Sequence, residues 1–270
     1  MVVLTNIHST TFRKKNGTQS PLDPIYPAGF SESDISLGQK HVLKRYSFGI
    51  FVGDMNKKGI IVVSGGVDSI TLLYDKREEI GLALTFRYGS NHEAREVPCA
   101  EYHCHKLGIE HRVIDLDFVK SMHSSLLEGA DQIPTAKYGE ENMRSTVVPF
   151  RNGVMLSIAC AFAEDRGMDR VFIANHFGDH AIYPDCTASF IKGMNEAMVQ
   201  GTYHHVRVEA PYTGLSKTDI VAIGTKLGVD YSHTWSCYKG GEKACGECAT
   251  CRERQEAFRD NGLVDPIPYL

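Results

Sequence analysis

Apolar positions between residues 59 and 230 fall into short continuous runs, separated by longer stretches where they recur every three or four residues. The first run, 59–63 (GIIVV), has no polar alternation, the pattern of a strand covered on both faces. Residues 68–79 follow with helical spacing, and Gly81 is the expected stop. Residues 82–87 (LALTFR) read as a second strand, 93–107 as a helix closed by Gly108, and 111–116 (HRVIDL) as a third strand. Pro149 suits the first turn of a helix over 150–165. Then come a strand at 171–175 (VFIAN), a helix at 187–200 and a short strand at 206–210 (VRVEA). Ser216 and Asp219 have the spacing of a capping box that opens a helix over 217–227, closed by Gly228. The polar stretch 120–147 is too long for a simple connector and reads as a substrate loop or lid.

Strands alternating with helices of this length predict an α/β fold, a doubly wound parallel sheet of Rossmann-like type with helices on both faces. Such sheets bind ligands at the carboxyl ends of their strands, where the strand order reverses. Residues 1–54 break the alternation: they hold Pro21, Pro24 and Pro27 and no sustained period, although 41–52 (HVLKRYSFGIFV) could form a strand or short hairpin. They are expected to be a weakly ordered extension, and a chain starting at Met55 is expected to keep both fold and activity. The expected division is therefore 1–54 as extension, 55–230 as the α/β domain and 231–270 as a smaller C-terminal subdomain.

Composition narrows the function. The chain has 270 residues, 42% hydrophobic and 23% charged, enough apolar surface for a full core. Its net charge of −4 lacks the basic excess of a protein that neutralises nucleic-acid phosphates, so a small-molecule substrate is expected, without direct nucleic-acid binding. No run approaches the roughly 18 apolar residues of a membrane span. The N-terminus places a short apolar start before its basic residues, the reverse of a signal peptide. Four of the eight cysteines crowd between 237 and 251, spacing that suits a metal better than disulfides, so a reducing, cytoplasmic setting is expected.

Two motifs carry chemistry. The first strand runs directly into Ser64-Gly65-Gly66-Val67-Asp68-Ser69, inside which a helix begins. Adjacent glycines let the backbone turn sharply and approach a ligand, and amides at a helix start form an anion nest. Ser64 and Ser69 add hydroxyl donors, and Asp68 could accept from loop amides or help hold magnesium. The loop is neither a Walker A sequence nor a dinucleotide fingerprint, since the lysine of the first and the spacing of the second are missing. A tight turn with serine caps is the plain alternative.

The second motif, Cys237-x7-Cys245-x2-Cys248-x2-Cys251, offers four thiolates to one tetrahedral zinc, with Gly240, Gly241 and Gly246 available for the turns. A closed four-cysteine site leaves no open coordination position and so serves folding rather than chemistry. An iron–sulfur cluster is the main rival occupant.

The SGGVDS loop after a first strand resembles the PP-loop of the ATP pyrophosphatases, which belong to the adenine nucleotide alpha hydrolase-like folds. That resemblance implies ATP bound by Val63, Ser64, Gly65, Gly66, Val67, Asp68, Ser69, Ile70, Thr71, Leu72 and Leu73, and cleavage between the α and β phosphates. The run from Thr234 to Arg254 (TWSCYKGG…ACGECATCRER) is similar to the 7-cyano-7-deazaguanine synthase family, as are Phe86-Arg87-Tyr88-Gly89 with His92, Val148-Pro149-Phe150-Arg151-Asn152 and Tyr183-Pro184-Asp185-Cys186. The similarity covers most of 57–270 and departs at Arg87, where the family often has Asp, at Phe150, where it often has Gly, and at Asn175-His176. It implies that 7-carboxy-7-deazaguanine is adenylated by magnesium ATP and converted by ammonia to an amide. A second activation then yields the nitrile used in queuosine biosynthesis, and the family resemblance implies a homodimer.

Within this frame Ser64, Asp68, Ser69, Arg151 and Lys217 are the expected catalytic groups. Arg151 could fork onto phosphate or substrate carboxylate, or simply close a salt bridge at a helix start; Lys217 could neutralise the triphosphate or be a solvated helix end. Tyr88, His92, Arg151, Asn152, Tyr183 and Asp185 are the expected substrate contacts, with Asp185 accepting from ring N–H groups. For Tyr183 and His92 the alternative is plain packing, and Cys160 and Cys186 read as core residues. Two other activities compete: a tRNA thiolase, which would need a sulfur-carrying cysteine pair such as Cys160 and Cys186, and a non-catalytic zinc knuckle that binds RNA.

Overall fold

A computed structural model describes residues 59–129, 133, 141–178 and 183–270. The expectations for 1–54, including the strand or hairpin at 41–52, lie outside the described residues, as do 130–132 and 134–140 of the expected lid at 120–147.

Five strands form one parallel sheet: β1 (Gly59–Val62), β2 (Ile80–Arg87), β3 (Glu110–Asp115), β4 (Arg170–Phe172) and β5 (Arg207–Glu209), in the order β3-β2-β1-β4-β5. The helices are α1 (Val67–Asp75), α2 (Glu93–Leu107), α3 (Arg151–Asp165), α4 (Ala188–Gly201), α5 (Lys217–Lys226) and α6 (Ala249–Asp260). Along residues 60–63 and 82–86, past the register shift at Gly59, alternate residues feed opposite cores, as the two-residue strand period requires. Ile60, Leu82, Leu84 and Phe86 pack with Met155, Leu156, Ala159 and Ala163 of α3 and Met198 of α4. Ile61, Val63, Ile80 and Ala83 pack with Ile70 and Leu73 of α1, Ala100 and Cys104 of α2, Ile220 and Val221 of α5, and Ala257 and Phe258 of α6. The chain leaves β3 at one edge and returns beside β1 at β4, so the order reverses between β1 and β4, and the carboxyl ends there open onto a crevice.

The predicted strands are all present, and the Ser216–Asp219 capping box closes as expected: the Ser216 Oγ accepts from the Asp219 N–H at 3.2 Å and the Asp219 carboxylate accepts from the Ser216 N–H at 2.9 Å. Two expectations are corrected. The helix expected over 68–79 ends at Asp75, because the charged run Lys76-Arg77-Glu78-Glu79 offers nothing to bury and turns instead through a Glu79 N–H to Lys76 carbonyl bond. Gly81 therefore stops nothing and is the second residue of β2. The stretch Met143–Asp165 is also long and apolar enough, by composition, to cross a membrane, against the expectation that no run is. Half of it is buried, and the α3 part packs on the sheet as a core helix.

Candidate active site

The crevice holds a cavity of about 210 Å³ whose wall draws on the β1–α1 loop, the end of β2, α2, the start of α3, the segment after β4, α5 and the C-terminal cysteine region. Ser64, Gly66, Val67, Asp68 and Ser69 form its floor. Gly65 has φ +98°, open to glycine at little cost, and a Cβ there would lie 2.1 Å from the Glu96 carbonyl oxygen. The turn brings Ser69 back on Ser64: the Ser64 N–H donates to Ser69 Oγ at 3.1 Å, and the Gly66 N–H to Ser64 Oγ at 3.2 Å. The loop thus stands at the amino end of a nine-residue helix, whose dipole favours an anion. Ile70, Thr71, Leu72 and Leu73, the rest of the expected nucleotide segment, are buried beneath it and do not line the cavity.

Asp68 is the electrostatic centre of the floor. Burial acts to raise its carboxyl, but the Lys217 ammonium, which bonds Asp68 Oδ2, and His176 outweigh that and hold it below the usual carboxylate range. Lys217 also lies 3.5 Å from Glu253 of α6. Asp68 Oδ1 is buried and has no hydrogen-bond partner. Asp68 and Lys217, chosen separately in the sequence, are thus one half-buried ion pair.

On the opposite wall Arg151 begins α3, donates from Nη1 to the Tyr88 hydroxyl at 3.0 Å and lies 5.7 Å from the centre of the Tyr88 ring. His92, at the start of α2, is buried; desolvation and then the nearby Arg151 charge push its imidazole down to about 4, so it is neutral. Tyr183 shares hydrogen bonds of 3.0 Å with Thr146 and with Tyr238. Ser64, Asp68, Ser69, Tyr88, His92, Arg151, Asn152, Tyr183 and Lys217 all line the one cavity. Asp185 does not. Its Oδ2 accepts from the Asn152 N–H at 2.9 Å at the start of α3, so it holds Asn152 and Arg151 in place. Cys186 lines the cavity and accepts from Asn152 Nδ2 at 3.2 Å, while Cys160 packs within the sheet core.

The departures at 87, 150 and 175–176 have separate fates. Arg87 pairs with Asp115 across β2 and β3, exposed and away from the cavity. Phe150 takes φ +54°, a left-handed conformation costing a side-chain residue about 1 kcal/mol or more, and glycine suits it better. Its exposed ring rests edge-on against Phe190. Asn175 lines the cavity and donates to the Cys186 carbonyl at 2.6 Å; His176 faces Asp68 and Glu253 at 3.9 Å each. The sequence reading missed Glu96, Glu253, His176, Trp235 and Tyr238. Trp235, Tyr238 and Glu253 lie inside the run 234–254 and His176 at a family departure, signals that named no role, while Glu96 stands one helical turn from His92 on the same face.

Beside the cavity the four sulfurs of Cys237, Cys245, Cys248 and Cys251 lie within 4.8 Å of one another, all buried. The Cys237 sulfur accepts from the Cys245 N–H at 3.3 Å, and the Cys245 sulfur from the Cys248 N–H at 3.4 Å, the outer-shell bonds that stabilise thiolates. The cluster fits a zinc site: four soft ligands, closed to solvent. Gly240 comes so close to the start of α2 that a Cβ there would lie 1.9 Å from the Asn91 carbonyl oxygen. Arg254 of α6, 1% exposed, braces the region with a fork onto Asp265 at 2.8 and 3.0 Å and bonds to Thr234 and the Tyr231 carbonyl.

The family model for "Queuosine biosynthesis protein QueC" matches residues 58–262. The chain belongs to the QueC family. A 7-cyano-7-deazaguanine synthase of Porphyromonas gingivalis is 59% identical over 215 residues, 79% of this chain and 97% of its own. The 7-cyano-7-deazaguanine synthase 1 of Colwellia psychrerythraea is 44% identical over 80% of this chain and all of its own. One from Methanoregula boonei is 45% identical over 78% and 99%. For a QueC family member the joint placement of the loop, Arg151 and the cysteine region around one cavity has a direct consequence: the matched residues include every wall of the site.

Proposed function

We propose that this protein converts 7-carboxy-7-deazaguanine and ammonia to 7-cyano-7-deazaguanine at the expense of ATP, as a carbon–nitrogen ligase of queuosine biosynthesis. One observation carries the reading: an anion nest at a helix amino end shares one cavity with an arginine aimed at a tyrosine hydroxyl, in a chain of the QueC family. The amides of Gly66 to Ser69 and the Ser64 and Ser69 hydroxyls take the outer phosphates. This leaves the α-phosphorus facing the acid. Charge builds on the departing pyrophosphate, and preorganised donors there are worth roughly 10²–10³ in rate each. Lys217 supplies a fixed positive charge at the same place.

Asp68 is the residue that would hold magnesium, because its Oδ1 is buried without a partner beside the loop. Bound there, the ion supplies charge neutralisation on the phosphates. Arg151 receives the substrate carboxylate, and Tyr88, His92, Asn152 and Tyr183 form the wall against the ring, with Asp185 acting through Asn152. Zinc on the four cysteines supplies rigidity rather than chemistry, and the enzyme works in the cytoplasm as a homodimer. The test is to incubate the protein with ATP, magnesium, ammonium and 7-carboxy-7-deazaguanine. Nitrile and AMP detected by mass support the reading; ADP as the only nucleotide product, or no nitrile, overturns it.

A further inference from the structure

Making an amide and then a nitrile from ammonia strips protons from one nitrogen, and some group must receive them. Among the described residues the carboxylates on the cavity wall are Asp68, Glu93 and Glu96. Asp68 is held by Lys217. Glu93 is spent on structure, its Oε2 accepting from the N–H groups of Tyr88, Gly89 and Ser90 at 3.0, 2.8 and 3.2 Å. Among the described residues no cation and no backbone amide hydrogen-bonds the Glu96 carboxyl; Arg151 acts on it through space, and its contact is the neutral His92 ring, with Nε2 at 3.6 Å from Oε2. Its Oε1 lies 4.0 Å from where a Cβ on Gly66 would project, so it faces the phosphate loop from across the floor.

From this geometry we propose that Glu96 is the catalytic base that removes protons from the ammonia-derived nitrogen. The inference rests on the synthase reading above. In the first half, ammonia adds to the acyl-adenylate carbon. One N–H proton passes to the Glu96 carboxylate, the bond from carbon to the AMP oxygen breaks, and its electron pair leaves with AMP to give the amide. In the second, the amide oxygen carries the new adenylyl group. Pyrophosphate leaves as the bond from that oxygen to phosphorus forms, and the resulting iminium passes one N–H proton to Glu96, which releases it to solvent. Glu96 then takes the remaining N–H proton of the neutral imidate, the N–H electron pair becomes the third carbon–nitrogen bond, and AMP departs again. Between halves Glu96 returns its proton to solvent or to the outgoing AMP.

Burial pushes the Glu96 carboxyl up to about 8, with Arg151 pulling it down and Glu93 adding to the rise. The groups facing it are Arg151 on α3 and His92, Glu93 and Cys99 on its own segment, with the Asp68–Lys217 pair across the floor. A largely neutral acid at pH 7 does not repel the incoming triphosphate, yet it ionises where free ammonia becomes available. A base of this kind contributes about 10²–10⁴ in rate.

The test separates adenylation from nitrogen chemistry. In Glu96→Gln, exchange of labelled pyrophosphate into ATP with 7-carboxy-7-deazaguanine, run without ammonia, is expected within about threefold of wild type, while nitrile formation falls on the order of 10²-fold or more. Glu96→Asp is expected to recover part of that loss. At fixed free ammonia the wild-type rate should climb with pH toward a limb near 8, and Glu96→Gln should lose that limb. Unchanged nitrile formation in Glu96→Gln overturns the assignment, as does equal loss of exchange and nitrile, the signature of a distorted loop. If wild type itself shows no acid-dependent exchange, the synthase reading falls first and this one with it.

Discussion

The adjacent glycines of the loop should fail differently when each is given a methyl group. Gly65→Ala meets two obstacles: its φ of +98° is sparsely populated for a side-chain residue, costing about 1–3 kcal/mol, and its methyl would lie 2.1 Å from the Glu96 carbonyl oxygen. That neighbour is helix backbone, not a mobile side-chain end, so relief requires moving α2 against the loop at about another 1–3 kcal/mol. The expected result is a melting temperature lowered by roughly 10 °C, at about 2–4 °C per kcal/mol for a domain of this size. Gly66→Ala meets neither obstacle. Its φ and ψ of −78° and 166° are ordinary, and the methyl would sit 3.3 Å from Ser64 Oγ and 3.4 Å from the Trp235 carbonyl oxygen. Both neighbours line the cavity, so the methyl projects where phosphate should approach. Stability should change by no more than about 1 kcal/mol, while ATP binding weakens about 10- to 100-fold, as expected when one or two charge-assisted hydrogen bonds are blocked. Trp235 is the single tryptophan and lines the cavity, so its fluorescence reports both denaturation and ATP titration in one sample. A Gly65→Ala protein as stable as wild type, or a Gly66→Ala protein binding ATP normally, would refute the loop geometry.

Two further outcomes are expected. Purified protein should hold one zinc per chain by elemental analysis, and stripping it with a chelator under reducing conditions should lower the melting temperature and ATP affinity together; iron with a visible charge-transfer band would contradict the zinc assignment. His103, buried between the Tyr74 hydroxyl and the His233 carbonyl, has its imidazole pushed down to about 4 by burial, from an ordinary value near 6.5. Its neutral form is the native one, so its contribution is complete above about pH 6.5 and is lost as pH falls toward about 4, on the order of 3 kcal/mol. Denaturant titrations at about pH 7 and about pH 4.5 should show that loss in wild type and a smaller one in His103→Gln; equal losses would refute it.

β1 and β2 could be read in the sequence because the buried centre of a parallel sheet writes itself as near-continuous apolar runs, and both loop and cysteine spacing are local patterns. What could not be read was partnership across the chain. Asp68 and Lys217 stand 149 residues apart, and nothing local to either says that one ammonium will meet one carboxylate. Glu253 and His176 join them from further elements for the same reason. Asp185 shows the converse: the family resemblance implies contact with the ring, while in the fold its Oδ2 accepts from the Asn152 N–H at the start of α3 and it does not line the cavity. Gly81 was misread because a glycine after a helical run has two meanings, cap or strand residue, and only pairing of Ile80 with Gly59 decides between them.

The C-terminal cysteine region also changes its meaning once the contacts are known. Spacing alone makes it an appendage with its own metal. In the fold, the Trp235 N–H donates to the Gly65 carbonyl at 3.1 Å, and Trp235, Ser236, Tyr238 and Thr250 line the cavity. The segment from Trp235 to Tyr238 is held in turn by Cys237, whose sulfur is one of the four. A closed tetrahedral site does no chemistry on a substrate, but it fixes the backbone of that segment, and the segment forms one wall of the nucleotide crevice and ties down the most constrained glycine of the loop. A zinc ion held there would be coupled to loop geometry through a single peptide hydrogen bond and two residues of chain. Substituting Cys237, two residues from the Trp235 N–H that bonds the Gly65 carbonyl, should for that reason weaken ATP binding as well as metal binding, and ATP binding unchanged on loss of the metal would refute the coupling.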